Sequence, residues 1–288
     1  MSKLLLHKLA RQTLTDLVER PPHALLLVAP SGSGKGAVAQ LLASEMLGVQ
    51  ELNLKNHPYY KLVRPDERHT ISIDAIRETI RFTTLRTTAK VGISRVIVIE
   101  HGQSMTAEAQ NALLKTLEEP PEGTMLILTA TSERQLLPTV LSRLQIITLL
   151  LPDRKSITSY FLTEGYLGPA IEQAMLMSGG LPGLMQALLK NDEQHPLVEA
   201  TRLARKVLGQ TPFERLATID ELAKNKQICF DVLFILEQMA SITMRQNNKN
   251  ADLLKRWQKI LAASHSANKQ LLANAQTKLV LLNFMLAV

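Results

Sequence analysis

The fold is decided by residues 95–143, which read RVIVIEHGQSMTAEAQNALLKTLEEPPEGTMLILTATSERQLLPTVLSR. The first six residues are almost wholly apolar and rich in β-branched side chains, which predicts a strand buried on both faces of a parallel sheet. Thr106 predicts a helix N-cap, because apolar residues follow it with a period of about 3.6 residues until Pro120 ends the pattern. TMLILTA (124–130) predicts a second buried strand, and a short helix is predicted from about Glu133. Alternating strands and helices of this kind are typical of an α/β nucleotide-binding domain.

A candidate phosphate-binding loop lies upstream of this stretch. ALLLVA (24–29) predicts a buried strand, and it leads directly into PSGSGKGAVAQ, which provides the glycine-rich turn and the helix start that a P-loop requires. Glycines in the turn let backbone N–H groups face phosphate oxygens, the helix N-terminus adds its positive dipole end, and the lysine reaches the β- and γ-phosphates. The candidate nucleotide-binding residues are Gly32, Ser33, Gly34, Lys35 and Gly36.

This loop departs from the full pattern G-x-x-x-x-G-K-S/T at two positions. Ala29 stands in place of the first glycine, and Gly36 stands in place of the hydroxyl residue. Without that hydroxyl, one protein ligand of Mg²⁺ is missing. Two interpretations remain: a loop that binds ATP or ADP, or a relic turn that keeps its glycines for the bend and binds nothing.

The composition is that of a folded protein of two or three domains. Of the 288 residues, 45% are hydrophobic and 20% are charged. Cys229 is the one cysteine, so an intrachain disulfide is excluded, and no group of cysteines and histidines has the spacing of a zinc site. We therefore expect no zinc, no other metal site and a cytoplasmic location.

The net charge and the apolar runs bear on the partners. A net charge of +7 favours an anionic partner such as nucleic acid, although a solvated basic surface is the simpler explanation. The N-terminus has scattered charges and does not resemble a signal peptide. The apolar runs are shorter than the roughly 20 residues that span a bilayer. We expect no membrane partner.

The segments EAQNALLKTLEEPP (108–121) and LLPTVLSR (136–143) resemble the signature of AAA+ clamp-loader subunits, and within them the δ′ type of the bacterial DNA polymerase III holoenzyme. The resemblance covers most of residues 1–190 and thins out afterwards. It implies an AAA+ P-loop NTPase fold, in which an α/β domain with a parallel sheet precedes a small helical lid and an all-α collar. The implied domains are the α/β nucleotide-binding-type domain at 1–151, the lid at 152–194 and the oligomerisation collar at 195–288.

The resemblance also implies a degraded ATPase site. Motor-type members end the strand that RVIVIE matches in Asp-Glu, which hold Mg²⁺ and polarise the attacking water, whereas Glu100 and His101 stand here. Glu100 is acidic and able to touch a hydrated metal, but a neutral imidazole lacks the charge and reach of a carboxylate. His101 as a working general base stays an alternative. Pro182 stands where the lid arginine of motor subunits is found, so we expect hydrolysis by this chain to be absent or very slow.

Two further regions match the family. Thr131 and Ser132 match the sensor-1 region, in which a polar side chain contacts the γ-phosphate. Ser142 and Arg143 match the motif whose arginine projects into the ATP site of the neighbouring subunit as an arginine finger. A planar guanidinium offers bidentate, charge-assisted hydrogen bonds to γ-phosphate oxygens, which supports that role. The alternative is an ordinary surface arginine near the start of a strand.

The leading hypothesis is a δ′-like subunit that assists ATP-driven loading of the sliding clamp on primed DNA during replication. The resemblance implies a hetero-oligomeric ring with motor subunits and a delta-type subunit, and contact with the sliding clamp and with primed DNA through that complex. The chain would act mainly as a non-hydrolysing structural subunit that supplies Arg143 to a neighbour. The alternatives are a divergent γ/τ-like motor subunit that hydrolyses ATP and, third, a P-loop kinase for small molecules.

The rest of the chain predicts mainly helices. Amphipathic patterns predict one helix over 3–20 and another over 71–89, with Ser72 or Asp74 near the start of the second. Residues 48–70 are loop-like apart from HPYYKLVRP, which resembles a strand of the family. In the last third of the chain, helices are predicted near 197–208, 212–224, 228–246, 251–263 and 267–286.

Overall fold

The computed structural model describes residues 4–84, 92–246 and 250–288. Their contacts divide the chain into two compact units, Met1–Pro152 and Asp153–Val288. The first unit contains the strands together with helices, and the second unit is built from helices. Each unit has a hydrophobic core of its own, and the core of the first unit covers both faces of its sheet.

A five-stranded sheet forms the centre of the first unit, in the order β2-β3-β4-β1-β5. The strands are β1 Ala24–Val28, β2 Tyr60–Val63, β3 Arg95–Ile99, β4 Thr124–Ala130 and β5 Gln145–Thr148. Every neighbouring pair is parallel. β1, β3 and β4 are buried along their whole length, as their apolar sequences predict, because both faces of the sheet are covered. β5 lies at an edge of the sheet, and Ile147 is its one buried residue.

The register of the sheet brings the ends of four strands together. Val63 pairs with Ile99, and Ile99 pairs with Leu128 on the other side. Val28 pairs with Ala130 in the same way. The residues that follow β1, β2 and β3 therefore meet along the carboxyl edge of the sheet, where open α/β sheets bind their ligands. This edge positions the candidate site.

The helices of the first unit are α1 Lys8–Glu19, α2 Lys35–Leu47, α3 Glu51–Leu54, α4 Ile73–Thr83, α5 Ala107–Glu118 and α6 Pro138–Leu141. Side-chain caps set the starts of α1, α4 and α5. The predicted Thr106 cap is confirmed, because its side chain accepts a hydrogen bond from the Ala109 N–H at 3.2 Å. Ser72 caps α4 and accepts from the Ala75 N–H at 3.3 Å, which decides between the two predicted residues.

Three predicted boundaries in the first unit differ from the structure. The helix predicted from residue 3 begins at Lys8, because the His7 ring accepts a hydrogen bond from the Leu9 N–H at 3.2 Å and caps α1. The helix predicted over 71–89 ends at Thr83, and its last predicted residues, 85–89, lie outside the described residues. The short helix predicted from Glu133 is two pieces, a 3-10 turn at Glu133–Gln135 and then α6.

The second unit is a stack of helices. They are α7 Arg154–Thr163, α8 Gly168–Ser178, α9 Pro182–Lys190, α10 Pro196–Gly209, α11 Pro212–Ala217, α12 Ile219–Leu222, α13 Lys226–Gln246, α14 Ala251–Leu272 and α15 Thr277–Ala287. The predicted break between 263 and 267 is wrong, because Ser264 and Ala267 are buried inside the continuous helix α14. Packing here overrides the weak helix propensity of small polar residues. The chain turns instead after α14, at Asn274, whose φ is 57°.

One hydrophobic core runs through the second unit. Leu181 and Leu184, at the start of α9, belong to the same buried cluster as Leu203 of α10 and Leu236 of α13. Residues that were predicted to lie in a lid thus share a core with residues that were predicted to lie in a collar. The division of this unit into two domains at residue 194 stays a prediction.

One segment of the described residues, Lys226–Arg245 in α13, is long and apolar enough to cross a membrane by length and composition. In the structure, 44% of its most apolar window is buried inside the protein. A helix in the core of a globular domain meets the same criterion, so this is weak evidence for a membrane span.

A substitution at Gly179, which directly follows α8, can test how closely the chain approaches α13 at this point. A Cβ added at Gly179 would lie 2.4 Å from Cβ of Gln238 and 3.0 Å from its carbonyl carbon. Gly165 lies in the same unit with a φ of +91°, compared with +66° at Gly179, and an added Cβ there meets nothing within 4 Å. We expect Gly165→Ala to lower the free energy of unfolding by about 1–2 kcal/mol through its left-handed backbone. Gly179→Ala is expected to cost about 1–3 kcal/mol more, because the core is overpacked.

The measurement is urea unfolding monitored by the fluorescence of Trp257, which lies in this unit and is the one tryptophan of the chain. Equal losses in the two variants would contradict the close approach, because Gly165 has the more strained backbone.

Candidate functional site

The candidate P-loop is a turn between β1 and α2 that depends on two glycines. Gly32 and Gly34 have φ values of 76° and 90°, in the left-handed region where residues other than glycine are strained. Gly34 is also the N-cap of α2, which begins at Lys35. The strand, turn and helix start of a P-loop are therefore present, with the N-terminus of α2 directly after the turn.

Lys35 is buried at the start of α2. Its Nζ donates a hydrogen bond to the Pro30 carbonyl oxygen, at 3.4 Å, within the same loop. Burial lowers the pKa of Lys35 to about 8, against the opposing effect of the Glu100 charge. An ammonium group that is partly stripped of water gains from an anion placed beside it. Lys35 thus keeps the electrostatic character of a phosphate-binding lysine.

Glu100 follows β3 directly and is buried at the carboxyl edge of the sheet. Its Oε2 accepts a hydrogen bond from Arg64 Nε at 2.7 Å, and its Oε1 accepts one from Gln40 Nε2 at 2.9 Å. The ion pair raises the pKa of Arg64. A Cβ added at Gly36 would lie 2.9 Å from Glu100 Oε1. The carboxylate therefore lies in the space that a side chain at position 36 would fill.

His101 occupies the position after Glu100 with an unusual backbone. Its φ is 56°, and its N–H donates to the Thr129 hydroxyl at 3.1 Å. The residue as a whole is exposed, but partial burial of the ring and the nearby Lys35 charge lower the pKa of His101. The imidazole is therefore neutral at neutral pH, so it lacks the negative charge of a carboxylate, and its lowered pKa makes it a weak base.

The two residues predicted for the sensor-1 region have local partners. The Thr131 hydroxyl donates to Gln135 Oε1 at 2.7 Å. The Ser132 hydroxyl accepts from the Arg134 N–H at 3.3 Å and caps the short 3-10 turn. Both hydroxyls thus organise the turn that follows β4. Their role towards a γ-phosphate stays a prediction.

The residues of the loop fit a phosphate group better than they fit Mg²⁺. The glycine turn and Lys35 offer N–H groups and a cation, which suit phosphate oxygens. Gly36 has no hydroxyl to ligate Mg²⁺, and Glu100 is already bound to Arg64 and Gln40. Among the described residues, no group of three or more His, Cys, Asp or Glu side chains is arranged to hold a metal ion. The magnesium-dependent part of ATP chemistry therefore has no fitting ligand set in this loop.

Arg143 lies just after α6, away from the residues described above. Its Nη2 donates to Glu118 Oε1 at 2.6 Å, and its Nη1 donates to the Thr139 carbonyl at 2.8 Å and to the Ser142 hydroxyl at 2.9 Å. About a third of the side chain is exposed (34%). The guanidinium thus reaches the surface of the first unit while it contacts its own chain.

The structure brings some predicted site residues together and leaves others apart. Lys35, Gly36 and Glu100 meet at the carboxyl edge of the sheet, with His101 beside them. The hydrogen bonds given above for Thr131, Ser132 and Arg143 go to other residues. In the second unit, Pro182 opens α9 and has no N–H or charged group with which to contact phosphate.

Sequence reasoning missed three residues of the site. Arg64 and Gln40 bind Glu100, and Glu118 binds Arg143. A signal for Arg64 was available, because it follows β2 as Glu100 follows β3, and the ends of adjacent parallel strands meet. Nothing in the sequence marks Gln40, which lies one turn into α2.

The family model and the relatives that match this chain point to the same family. Residues 5–152 match the model of the family described as DNA polymerase III, delta subunit. DNA polymerase III subunit delta′ of Pseudomonas aeruginosa is 30% identical over 205 residues, which cover 65% of this chain and 62% of that protein. The subunit of the same name from Escherichia coli is 31% identical over 189 residues, covering 60% and 56%. The chain thus matches less than two thirds of the length of each relative.

A solved structure shows the same fold. The chain is similar to a DNA polymerase III gamma subunit-related protein from Thermotoga maritima, with a TM-score of 0.54 and 18% identity, over 96% of this chain and 97% of the other. At this identity the likeness concerns the fold alone. Together with the sheet order, it confirms the predicted α/β domain with a parallel sheet followed by helices.

A double-mutant cycle tests the contact between Gly36 and Glu100. Replacing a helical glycine by alanine ordinarily stabilises a helix by about 1 kcal/mol. We expect Gly36→Ala in the wild-type background to lose that gain, because the new Cβ meets the held carboxylate at 2.9 Å. In a Glu100→Ala background the carboxylate is absent, so the same substitution should be stabilising. The expected coupling energy is about 1 kcal/mol or more.

The free energies of unfolding are measured by urea titration of the four proteins, with circular dichroism as the signal. Gly48→Ala, at a position where an added Cβ meets nothing within 4 Å, is the control and should be additive with Glu100→Ala. If the effects of Gly36→Ala and Glu100→Ala on the free energy of unfolding are also additive, the carboxylate moves aside without cost and the expected clash is contradicted.

Proposed function

Since this chain belongs to the family described as DNA polymerase III, delta subunit, we propose that it acts as a δ′-like subunit of the polymerase III clamp loader. In this role it joins a hetero-oligomeric ring with ATP-hydrolysing motor subunits and a delta-type subunit. The ring loads the sliding clamp on primed DNA in the cytoplasm, and the chain meets DNA through the complex. The names of the two curated relatives support the assignment, since both are DNA polymerase III delta′ subunits.

The observation that carries a non-hydrolysing role is the position of Glu100. Its carboxylate is held by Arg64 and Gln40 in the space above Gly36, where a working P-loop carries the hydroxyl that ligates Mg²⁺. His101, in place of the second acid, is neutral at neutral pH because its pKa is lowered. Hydrolysis needs a held metal ion and an activated water, but Glu100 is engaged by Arg64 and Gln40, and a weakly basic imidazole stands in place of the second carboxylate.

Nucleotide binding without hydrolysis belongs to the same proposal. The glycine turn still offers inward N–H groups, and Lys35 has a lowered pKa that a bound anion would restore. ATP or ADP is the ligand that these groups suit. In such a complex the nucleotide would be a structural ligand of the first unit.

Arg143 is the proposed catalytic contribution of the chain, delivered in trans. It lies on the surface of the first unit, and its guanidinium is planar and permanently charged. In the proposed ring it enters the ATP site of a neighbouring motor subunit and stabilises the charge that develops on the γ-phosphate. The match of LLPTVLSR to the arginine-finger motif supports this role.

The alternative is a divergent γ/τ-like motor subunit. A motor subunit hydrolyses ATP in its own P-loop and occupies several positions in each ring, so subunit stoichiometry separates the two hypotheses. For a δ′-like subunit we expect no appreciable ATP turnover by the isolated chain, because of the Glu100 and Gly36 geometry. Steady-state phosphate release by the purified chain is the measurement. Turnover that disappears in Lys35→Ala would establish a motor site and would exclude the δ′-like proposal.

Arg143→Ala tests the finger in the reconstituted loader with clamp and primed DNA. Arginine fingers contribute about a thousandfold or more to the rate of the site that receives them. We therefore expect the loader to lose the turnover of one motor site while it still assembles. Arg143→Lys keeps the charge without the planar fork, so it should restore part of the loss at most.

Arg134→Ala is the matched control, since it removes an exposed arginine from the neighbouring 3-10 turn. Its turnover should equal that of the wild type. Unchanged turnover in an assembled Arg143→Ala loader would overturn the finger assignment and leave the chain with a scaffolding role.

A further inference from the structure

The guanidinium of Arg143 is engaged by its own chain. It donates three hydrogen bonds, to the Glu118 carboxylate, the Thr139 carbonyl and the Ser142 hydroxyl. Thr139 lies in α6 and Ser142 directly follows that helix, so both move together with Arg143. Glu118 is different, because it lies 25 residues earlier in the chain, at the end of another helix. It is also the partner that carries a charge.

The position of Glu118 is set by how α5 and α6 pack together. Gln110, in α5, is buried, and its Oε1 accepts a hydrogen bond from the Leu137 N–H at 2.8 Å, at the N-cap of α6. Its Nε2 donates to the Met105 carbonyl at 3.3 Å, which holds the amide in place. The buried side of the two helices is therefore fixed, while Glu118 at the last residue of α5 remains half exposed (49%). Glu118 is thus held beside Arg143 by the fold and is open to solvent.

We propose that Glu118 is an internal latch that holds Arg143 against its own subunit until a γ-phosphate replaces the carboxylate. The inference rests on the proposed function, because it concerns the same arginine finger. Nη2 carries two N–H groups and Glu118 uses one of them, so a γ-phosphate that binds the same edge of the guanidinium bidentately has to displace the carboxylate, and the two anions repel each other at that edge. Glu118 is a positioning residue, since it acts on the reaction through Arg143.

The latch is weak enough to be reversible. Exposed ion pairs between a carboxylate and an arginine change an equilibrium by a factor of about five at most. Glu118 therefore lowers the fraction of engaged fingers without preventing engagement. A neighbouring ATP site reaches its full rate only when the subunit interface brings the γ-phosphate close enough to displace the carboxylate. The pair makes hydrolysis sensitive to the fit between subunits.

The test uses the reconstituted loader without clamp or DNA, at saturating ATP. We expect Glu118→Gln to raise the turnover of the motor site that receives the finger by about two- to five-fold, because the released finger is engaged more often, and the total turnover of the loader rises by the share that this site contributes. Glu118→Asp keeps the charge but shortens the side chain by one methylene, which breaks the 2.6 Å contact, so it should raise turnover as well. The matched control is Glu119→Gln, which removes the same charge from the next, exposed residue and should leave turnover unchanged.

Dependence on Arg143 separates a latch from a merely structural effect. The double variant Glu118→Gln with Arg143→Ala should have the turnover of Arg143→Ala alone. Gel filtration of the complex and thermal unfolding of the chain should match the wild type for both single variants of Glu118. A change that persists without Arg143 would overturn the latch.

The outcomes distinguish the latch from the proposed function. If Arg143→Ala lowers turnover and Glu118→Gln leaves it unchanged, the finger stands and the latch falls. If Glu118→Gln lowers turnover, the carboxylate aims the finger instead of retracting it, and the latch falls as well. If Arg143→Ala has no effect in an assembled loader, the finger assignment and the latch fall together.

Discussion

Parallel pairing of β3 with β2 and β4 is the constraint on which the candidate site depends. The Glu100 N–H donates to the Val63 carbonyl at 2.9 Å, so Glu100 and Arg64 leave the sheet side by side. On the other side, Ile99 pairs with Leu128, which puts the Thr129 hydroxyl within reach of the His101 N–H. A slip of one residue in either pairing would turn these side chains to opposite faces. The buried apolar strands that fix this register thereby fix the polar cluster at its edge.

Glu100 holds this edge together as a structural group. A buried carboxylate is tolerated when its oxygens are hydrogen-bonded and its charge is balanced, and Arg64 and Gln40 meet both needs. These partners come from the end of β2 and from α2, so one side chain joins two strands and a helix. The same charge supports the buried ammonium of Lys35. A position that resembles a metal-ligand position of ATPases thus serves here as a junction between secondary structure elements.

The sequence allowed the fold to be predicted further than the site. Buried strands such as 24–29 and 124–130 and the Thr106 cap follow from local pattern, because apolar runs and capping side chains act over a few residues. The break predicted within α14 failed because Ser264 is buried in a helix that packs against α13 and α15, and such tertiary packing is not a local pattern. Arg64 and Glu118 were missed for the same reason, since their partners are 36 and 25 residues away. The two glycines and Lys35 were found because a P-loop is a local motif.

The close approach of Gly36 to Glu100 has a consequence for how this sequence can change over generations. The Cβ of a hydroxyl residue introduced at position 36 would lie 2.9 Å from Glu100 Oε1, so the new side chain meets the carboxylate before it can ligate a metal ion. Loss of the carboxylate first would leave Arg64 and Gln40 without their partner. Each of these two substitutions is therefore disfavoured alone, although the two together are compatible with the structure. Epistasis between these two neighbours therefore opposes the gain of a P-loop hydroxyl by one substitution at a time.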